Sequence, residues 1–212
     1  MYNKKKILAI IPARGGSKRL PMKNILKLKK KPLITWAIKE AQNSKYLDDI
    51  IVSTDEKKIS QISKNNNVSV INRPYYLASD TASSVDVVLH AIDHISKNYD
   101  YIILLQPTSP IRKAKHIDES IELLFKKRAK AIVSVCKASH SPLWMNTLPS
   151  DGNISQFLSD SVLNRQSQEL PSYFQINGAI YLIEICALKK NKTFLLKSDI
   201  FAYLMPQIES LD

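Results

Sequence analysis

Residues 7–18 read ILAIIPARGGSK, an apolar run that ends in a proline, an arginine, two adjacent glycines and a lysine. Ile7 to Ala13 predicts a buried strand, and a loop follows it directly. Glycine is scarce, with four in the chain, and two of them stand here as Gly15 and Gly16. Such glycines let consecutive backbone N–H groups point inward and let phosphate oxygens approach with no Cβ in the way. Arg14, Ser17, Lys18 and Lys23 place side-chain donors around those amides, the set that a triphosphate requires. The string is neither GxGxxG nor GxxxxGK[ST], which disfavours a dinucleotide fingerprint and a Walker loop.

Outward from this loop, strand-length apolar runs alternate with segments of helical period. Pro32 opens a helix through KPLITWAIKEAQNS, with Leu33, Trp36, Ala37 and Ala41 on one face. Asp49 to Ser53 predicts a second strand, Glu56 to Lys64 a polar helix and Val68 to Asn72 a third strand. Ser83 to Lys97 is a helix whose Val87, Val88, Ala91, Ile92 and Ile95 stripe reads as core. Tyr101 to Leu105 (YIILL) shows no alternation, as expected of a strand covered on both faces in a parallel sheet. A helix over Ala114 to Arg128 and strands over Ala131 to Val135, Asn177 to Glu184 and Ile200 to Leu204 complete the series.

The repeated β-α-β order predicts an α/β fold, a doubly wound and mostly parallel sheet in one domain over 1–212. Ligands of such sheets bind beyond the carboxyl ends of the strands. Arg14 to Ser17, Thr54 and Asp55, Arg73, and Gln106 to Arg112 all follow those ends, so they converge on one predicted site. Over about 139–175 the rhythm changes. The Ser-Asp-Gly-Asn turn at 150–153 between short apolar runs predicts a hairpin or an excursion from the main sheet.

The net charge is +12, and the first 31 residues hold eleven Lys or Arg and no acid. Lys4 to Lys6 and Lys27 to Lys31 read as a solvated basic face, whereas Arg14, Lys18 and Lys23 sit in the glycine loop. No apolar run approaches the ~20 residues that span a bilayer, and the short apolar stretch after Lys6 lacks a cleavage site, so a soluble cytoplasmic protein is expected. Cys136 and Cys186 lie in apolar strings without CxxC spacing and are expected to be buried, reduced thiols.

IPARGGSKRLPMKNI at 11–25 resembles the opening of the acylneuraminate cytidylyltransferases, a family that includes the enzymes activating legionaminic and pseudaminic acids. The resemblance recurs in order at VSTD (52–55), RPYYLASDTASSVDVVLHAI (73–92), LQPTSPIR (105–112) and NGAIYL (177–182), covering nearly the whole chain. It implies a nucleotide-diphospho-sugar transferase type of fold, with 139–175 as a dimerisation insertion, a homodimer, Mg²⁺, and CTP with a nine-carbon acidic sugar as substrates. It further implies that Ala13, Arg14, Gly15, Gly16, Ser17, Lys18 and Lys23 surround the triphosphate and that Asn24 holds the ribose. Arg73, Ala82 and Ser84 would frame the cytosine and ribose. Gln106 would orient the sugar at the α-phosphate, Arg165 would meet the sugar carboxylate in its own or the partner's site, and Asn177 and Tyr181 would line the sugar pocket. By their own chemistry, Arg73 equally suits a turn, Arg165 a surface cation and Tyr181 the core.

The family is similar in carrying SxDxD near its C-terminal end, where two aspartates gather the metal. Here Asp212 fits the first and no residue of this sequence fits the second, so either the Mg²⁺ site is half built or the chain continues past Asp212. The implied reaction is attack by the anomeric hydroxyl of the sugar on the α-phosphorus of CTP, with Arg14, Lys18, Lys23 and Gln106 as the catalytic set and no histidine as an obvious base. The alternative is a nucleotide-binding relative left inactive by the incomplete metal motif. A nucleic-acid binder is disfavoured because aromatics are not interleaved with the basic residues and no RRM, KH or helix-turn-helix pattern occurs. A glycosyltransferase of similar fold would carry an internal DxD, which is missing here.

Overall fold

The computed structural model describes residues 2–17 and 20–210. Strand β1 (Ile7–Pro12) leads through a 3-10 turn at Lys23–Ile25 to a small hairpin, β2 (Lys27–Leu28) and β3 (Lys31–Pro32). Helix α1 (Leu33–Gln42), β4 (Asp49–Thr54), α2 (Lys57–Asn65) and β5 (Ser69–Asn72) follow. After them come α3 (Ser84–Asp93), β6 (Tyr101–Leu104), α4 (Ala114–Lys127), β7 (Ala131–Lys137), β8 (Phe174–Glu184), α5 (Ile185–Asn191) and β9 (Ile200–Leu204).

Seven strands form one sheet in the order β5-β4-β1-β6-β8-β7-β9. All adjacent pairs are parallel except those made by β8, which runs antiparallel to both β6 and β7. The expected doubly wound, mostly parallel α/β sheet is what forms. β1 shows why its sequence lacks alternation: every residue from Ile7 to Ile11 is fully buried. Ile7, Ala9 and Ile11 pack with Ile34, Ala37, Ile38 and Ala41 of α1, Ile59 of α2, and Ile117, Ile121 and Leu124 of α4. Leu8 and Ile10 face the opposite layer, Val88 and Ala91 of α3 with Ala187 and Leu188 of α5. Alternate residues of one strand therefore fill two cores, the physical meaning of a two-sided sheet.

The buried stripe of α1 is Ile34-Ala37-Ile38-Ala41, not one built on Leu33 and Trp36. Trp36 is half-buried instead, donating Nε1–H to the Leu28 carbonyl at 3.2 Å with the Lys31 ammonium over its ring. Between β7 and β8, 3-10 turns at Pro142–Trp144 and Ser167–Glu169 occur without a strand. No hairpin strands form between Lys137 and Phe174, and residues 174 and 175 already belong to β8. Of the two cysteines, Cys136 is buried as expected, while Cys186 is exposed on α5.

Candidate functional site

β1 connects through α1 to β4 on one side, while β6 pairs on its other side, so the strand order reverses between β1 and β6. A crevice at the carboxyl ends of strands at such a point is where open α/β sheets bind ligands. A cleft of about 280 Å³ occurs there, lined by Arg14, Lys23, Asn24, Arg73, Ala82, Ser84 and Gln106, together with Leu77, Ser79, Asp80, Pro107 and Thr108. Seven residues singled out from the sequence, drawn from the β1–β2, β5–α3 and β6–α4 connections, are thereby brought together. The volume lies near the lower end of small-molecule pockets, which run from roughly 300 to 1,000 Å³.

The loop after β1 is anchored before it can meet a ligand. Ala13 is fully buried and donates its N–H to the Ser53 carbonyl at 2.9 Å. Gly15 donates its N–H to Asp55 Oδ1 at 3.0 Å, and a Cβ on Gly15 would fall 3.0 Å from the Cβ of Glu56. Gly15 is therefore a glycine because α2 begins against it, a different reason from phosphate approach. Gly16 has open space around it and is exposed, and Ser17 is half-buried. Lys18 lies outside the described residues.

Arg14 donates through Nη2 to Asp80 Oδ1 at 2.6 Å and through Nη1 to the Ala78 carbonyl at 3.2 Å. Asn24 is 3% exposed; its Nδ2 donates to the Arg14 carbonyl at 2.9 Å, while its Oδ1 is buried without a partner among the described residues. An unpaired buried acceptor on a cleft wall suits a ligand hydroxyl, since leaving it unpaired is costly.

Arg73 is buried, with Nε and Nη2 donating to the Ser53 hydroxyl and carbonyl at 3.2 and 2.6 Å. Burial pushes its guanidinium down to about 10, with Asp55 opposing and Arg14 adding to the shift, so it stays charged at neutral pH. Ala82 and Ser84 lie at the start of α3, whose cap is Ser83, accepting the Asp86 N–H at 3.0 Å. The positive end of that helix dipole adds to Arg14, Lys23 and Arg73, giving a cleft suited to an anion.

Other expected residues do not line this cleft. Asn177 is buried and uses both ends of its amide: Oδ1 accepts from the Ser134 hydroxyl at 2.6 Å and the Ala179 N–H at 3.2 Å. Its Nδ2 donates to the Ser210 hydroxyl at 2.9 Å and to Met205 Sδ at 3.3 Å. Tyr181 packs its ring against Phe194 at 5.5 Å between centroids, in the α3/α5 layer. Arg165 is exposed in the 139–175 excursion. Asp212 lies outside the described residues. Asp80 and Asp55 sit in quoted motifs but carry no sequence signal of their pairing with Arg14 and Gly15, which only the fold supplies.

A sequence model described as Cytidylyltransferase matches residues 8–189. CMP-N,N'-diacetyllegionaminic acid synthase of Legionella pneumophila is 36% identical over 196 residues, covering 89% of this chain and 82% of that protein. N-acylneuraminate cytidylyltransferase of Escherichia coli O18:K1:H7 is 36% identical over 98% of this chain, which spans only 49% of that protein. The structure of CMP:2-keto-3-deoxy-manno-octonic acid synthetase complexed with CTP superposes with a TM-score of 0.71 at 18% identity, covering 95% of this chain and 90% of that one. That last likeness speaks to the fold alone, and it agrees with the sheet found here. On the family match and the two relatives together, this chain belongs to the cytidylyltransferase family.

Proposed function

We propose that this chain transfers the CMP group of CTP to a nonulosonic, sialic-acid-type sugar, forming the CMP-sugar and releasing pyrophosphate. The observation that carries the reading is the convergence of Arg14, Lys23, Asn24, Arg73, Ala82, Ser84 and Gln106 on one cleft at the β1/β6 switch point. The names of the two relatives support the nucleotide and the sugar class, and favour a transferase over a binding-only relative.

In this reading the sugar's anomeric hydroxyl attacks the α-phosphorus, its O–P bond forming as the bond to pyrophosphate breaks. Such chemistry needs positioning and charge neutralisation more than covalent catalysis. Arg14 and Lys23, with Lys18 assigned beside them, offset charge on the triphosphate and the leaving group. Asn24 Oδ1 accepts a ribose hydroxyl, Arg73 with Ala82 and Ser84 frames the nucleoside, and Gln106 orients the sugar.

Among the described residues no group of three or more His, Cys, Asp or Glu is gathered to hold a metal. Magnesium usually binds through one or two carboxylates plus substrate phosphates, so a cation that enters with the triphosphate needs few protein ligands. Asp212 is the carboxylate assigned to it, and Mg²⁺ would supply further neutralisation of the phosphate oxygens.

The chain is assigned to a homodimer through 139–175, where Met145, Leu148, Ile154 and Leu163 are exposed, as are Phe174 and Ile176 of β8. No described helix is long and apolar enough to cross a membrane, and we place the protein in the cytoplasm, where CTP is made.

The test is pyrophosphate release with Mg²⁺, pairing each of the four nucleoside triphosphates with neuraminic-, legionaminic- and pseudaminic-type acids. Release that requires both CTP and one of these acids is expected. Release that needs no sugar acid, or none at all from folded protein that binds CTP, would overturn the reading.

A further inference from the structure

Arg112 is the largest side chain in the fully buried set, 1% exposed, and no described carboxylate forms an ion pair with it. Nη1 donates to the Gln106 carbonyl at 3.1 Å and to the Ala179 carbonyl at 2.8 Å, which uses both of its hydrogens. Nε and Nη2 are buried without partners among the described residues. Glu40, the acid whose field favours the charge, instead accepts the Ala114 N–H at 2.7 Å.

The place of these two carbonyls in the sheet gives the side chain its meaning. β6 and β8 pair antiparallel from Tyr101↔Glu184 to Leu104↔Tyr181, and the ladder stops there. Continued by two residues, the same register would set Gln106 opposite Ala179. Those are the residues whose carbonyls converge on Arg112. The other edge of β8 departs from regularity at the same level, where the β7–β8 register shifts between Val133 and Val135 and Ser134 bridges to Asn177 and Ile180. Gly178 takes a φ of +70°, which an L side chain rarely adopts, and a Cβ there would meet Gln106 Oε1 at 3.6 Å.

We propose that Arg112 is a positioning residue for the transfer step: its guanidinium takes the place of the missing β6–β8 ladder, and by holding the Gln106 carbonyl it fixes where the Gln106 side chain lies in the cleft. The inference rests on the role given to Gln106 above. Its physical warrant is cost. Two carbonyls can be satisfied by a ladder bond or a neutral donor, whereas a buried cation without an acid partner carries a desolvation penalty that two hydrogen bonds offset only in part. A planar fork at that point holds two strand ends at a set separation, which a flexible ammonium does not reproduce.

The experiment compares Arg112→Met, Arg112→Lys, Gln106→Ala and the Gln106→Ala/Arg112→Met pair, reading kcat for pyrophosphate release, KM for CTP and CTP affinity by calorimetry. A misplaced orienting group predicts a kcat loss of about ten- to a hundred-fold in both Arg112 variants, with CTP affinity held within about two-fold. The double variant is expected to be little worse than Gln106→Ala alone. Arg112→Lys keeps the charge and serves if the Met variant does not fold. A kcat within about two-fold of the parent in the folded variants overturns the proposal, as do losses that multiply in the double variant. Equal losses of CTP affinity and kcat would mark a merely architectural arginine and overturn it too. If Gln106→Ala alone leaves turnover intact, the role of Gln106 falls first and this inference falls with it.

Discussion

Arg14 Nη2 lies 2.6 Å from Asp80 Oδ1, so a cation assigned to the triphosphate is held by a carboxylate of the same cleft wall. Both side chains remain partly exposed, at 29% and 38%, and solvent-screened pairs of this kind contribute about 0–1 kcal/mol to stability. The pair's consequence is therefore for binding. A triphosphate that takes Arg14 must draw it from Asp80 or accept the carboxylate as a neighbour.

Arg14→Ala is accordingly expected to lower kcat/KM for CTP by about a hundred-fold or more, with a small change in Tm. Asp80→Asn is expected to act in the opposite sense on binding, tightening CTP by about three- to ten-fold at low salt and less at high salt. Calorimetric titration with CTP at two ionic strengths checks both. Weaker binding in Asp80→Asn would show that the carboxylate orients Arg14 and does not compete for it.

Lys29 and Lys30 make the turn of the β2–β3 hairpin with φ of 46° and 67°. Left-handed backbone costs a non-glycine residue roughly 1–2 kcal/mol, part of which the greater unfolded freedom of glycine cancels. Lys30→Gly is therefore expected to stabilise the protein by about 1 kcal/mol, raising Tm by roughly 2–4 °C. Thermal denaturation followed by circular dichroism measures this, and a lower Tm would mean that the Lys30 side chain makes up for its strain.

The same hairpin shows where sequence reading stops. Its turn has neither Gly nor Asn, and KLKKKP presents no alternation, so nothing marked it as a pair of strands. The strands of the parallel half were legible because burial on both faces leaves unbroken apolar runs. The ends of elements were less so: α3 stops at Asp93 with His94 as its C-cap, short of the expected Lys97, and β8 begins at Phe174, three residues before the expected Asn177. β8 starts early because Phe174 and Gln175 find partners in Lys137 and Cys136, a pairing no local pattern announces. In the site, Arg14, Arg73 and Gln106 were legible because loops after strand ends converge in any sheet of this kind, whereas Lys23 was read from its place near the glycine loop and Asn24 from the family resemblance alone. Arg112 was not assigned a role, since its partners are backbone carbonyls of two strands distant in sequence.

Acid sensitivity follows from the segment after β9. Glu209 is buried against the first turn of α4, bonded to Lys113, with His116 Nε2 at 3.0 Å and Lys115 Nζ at 3.6 Å. The Lys113 hydrogen bond foremost holds its carboxyl down to about 2 from the ordinary 4.5. The Lys113 backbone N–H donates to His116 Nδ1 at 3.2 Å, which leaves the neutral ring's proton on Nε2 to donate to Glu209. Burial pushes His116 below its ordinary 6.5 despite the acid beside it.

Both shifts have the same sign. As pH falls below 6.5 the unfolded chain takes up a proton that folded His116 refuses, and below 4.5 one that folded Glu209 refuses until about 2. Stability is expected to be full above neutrality and to fall steadily through both windows. Glu209→Gln should flatten the decline between pH 4.5 and 2 while lowering Tm at neutral pH, where Lys113 and His116 lose their acceptor. Tm measured across pH 3 to 8 for both proteins decides, and parallel curves below 4.5 would assign the acid limb to other carboxylates.

Arg165 is not among the residues that line the cleft and lies in a segment whose apolar residues Met145, Leu148, Ile154 and Leu163 are exposed, while the sugar reading gives it a carboxylate to meet. The two fit together if Arg165 serves the partner's cleft in the proposed homodimer. An Arg165→Ala homodimer and an Arg14→Ala homodimer would then each be defective at both sites. Subunits exchanged between them yield mixed dimers in which one site carries both defects and the other carries neither. Since half of randomly assorted dimers are mixed, about a quarter of the parent activity is expected to return on mixing. Pyrophosphate release before and after exchange measures it. Activity that stays at the level of the separate variants, with exchange confirmed by mass-tagged subunits, would place Arg165 at its own chain's site or outside the chemistry.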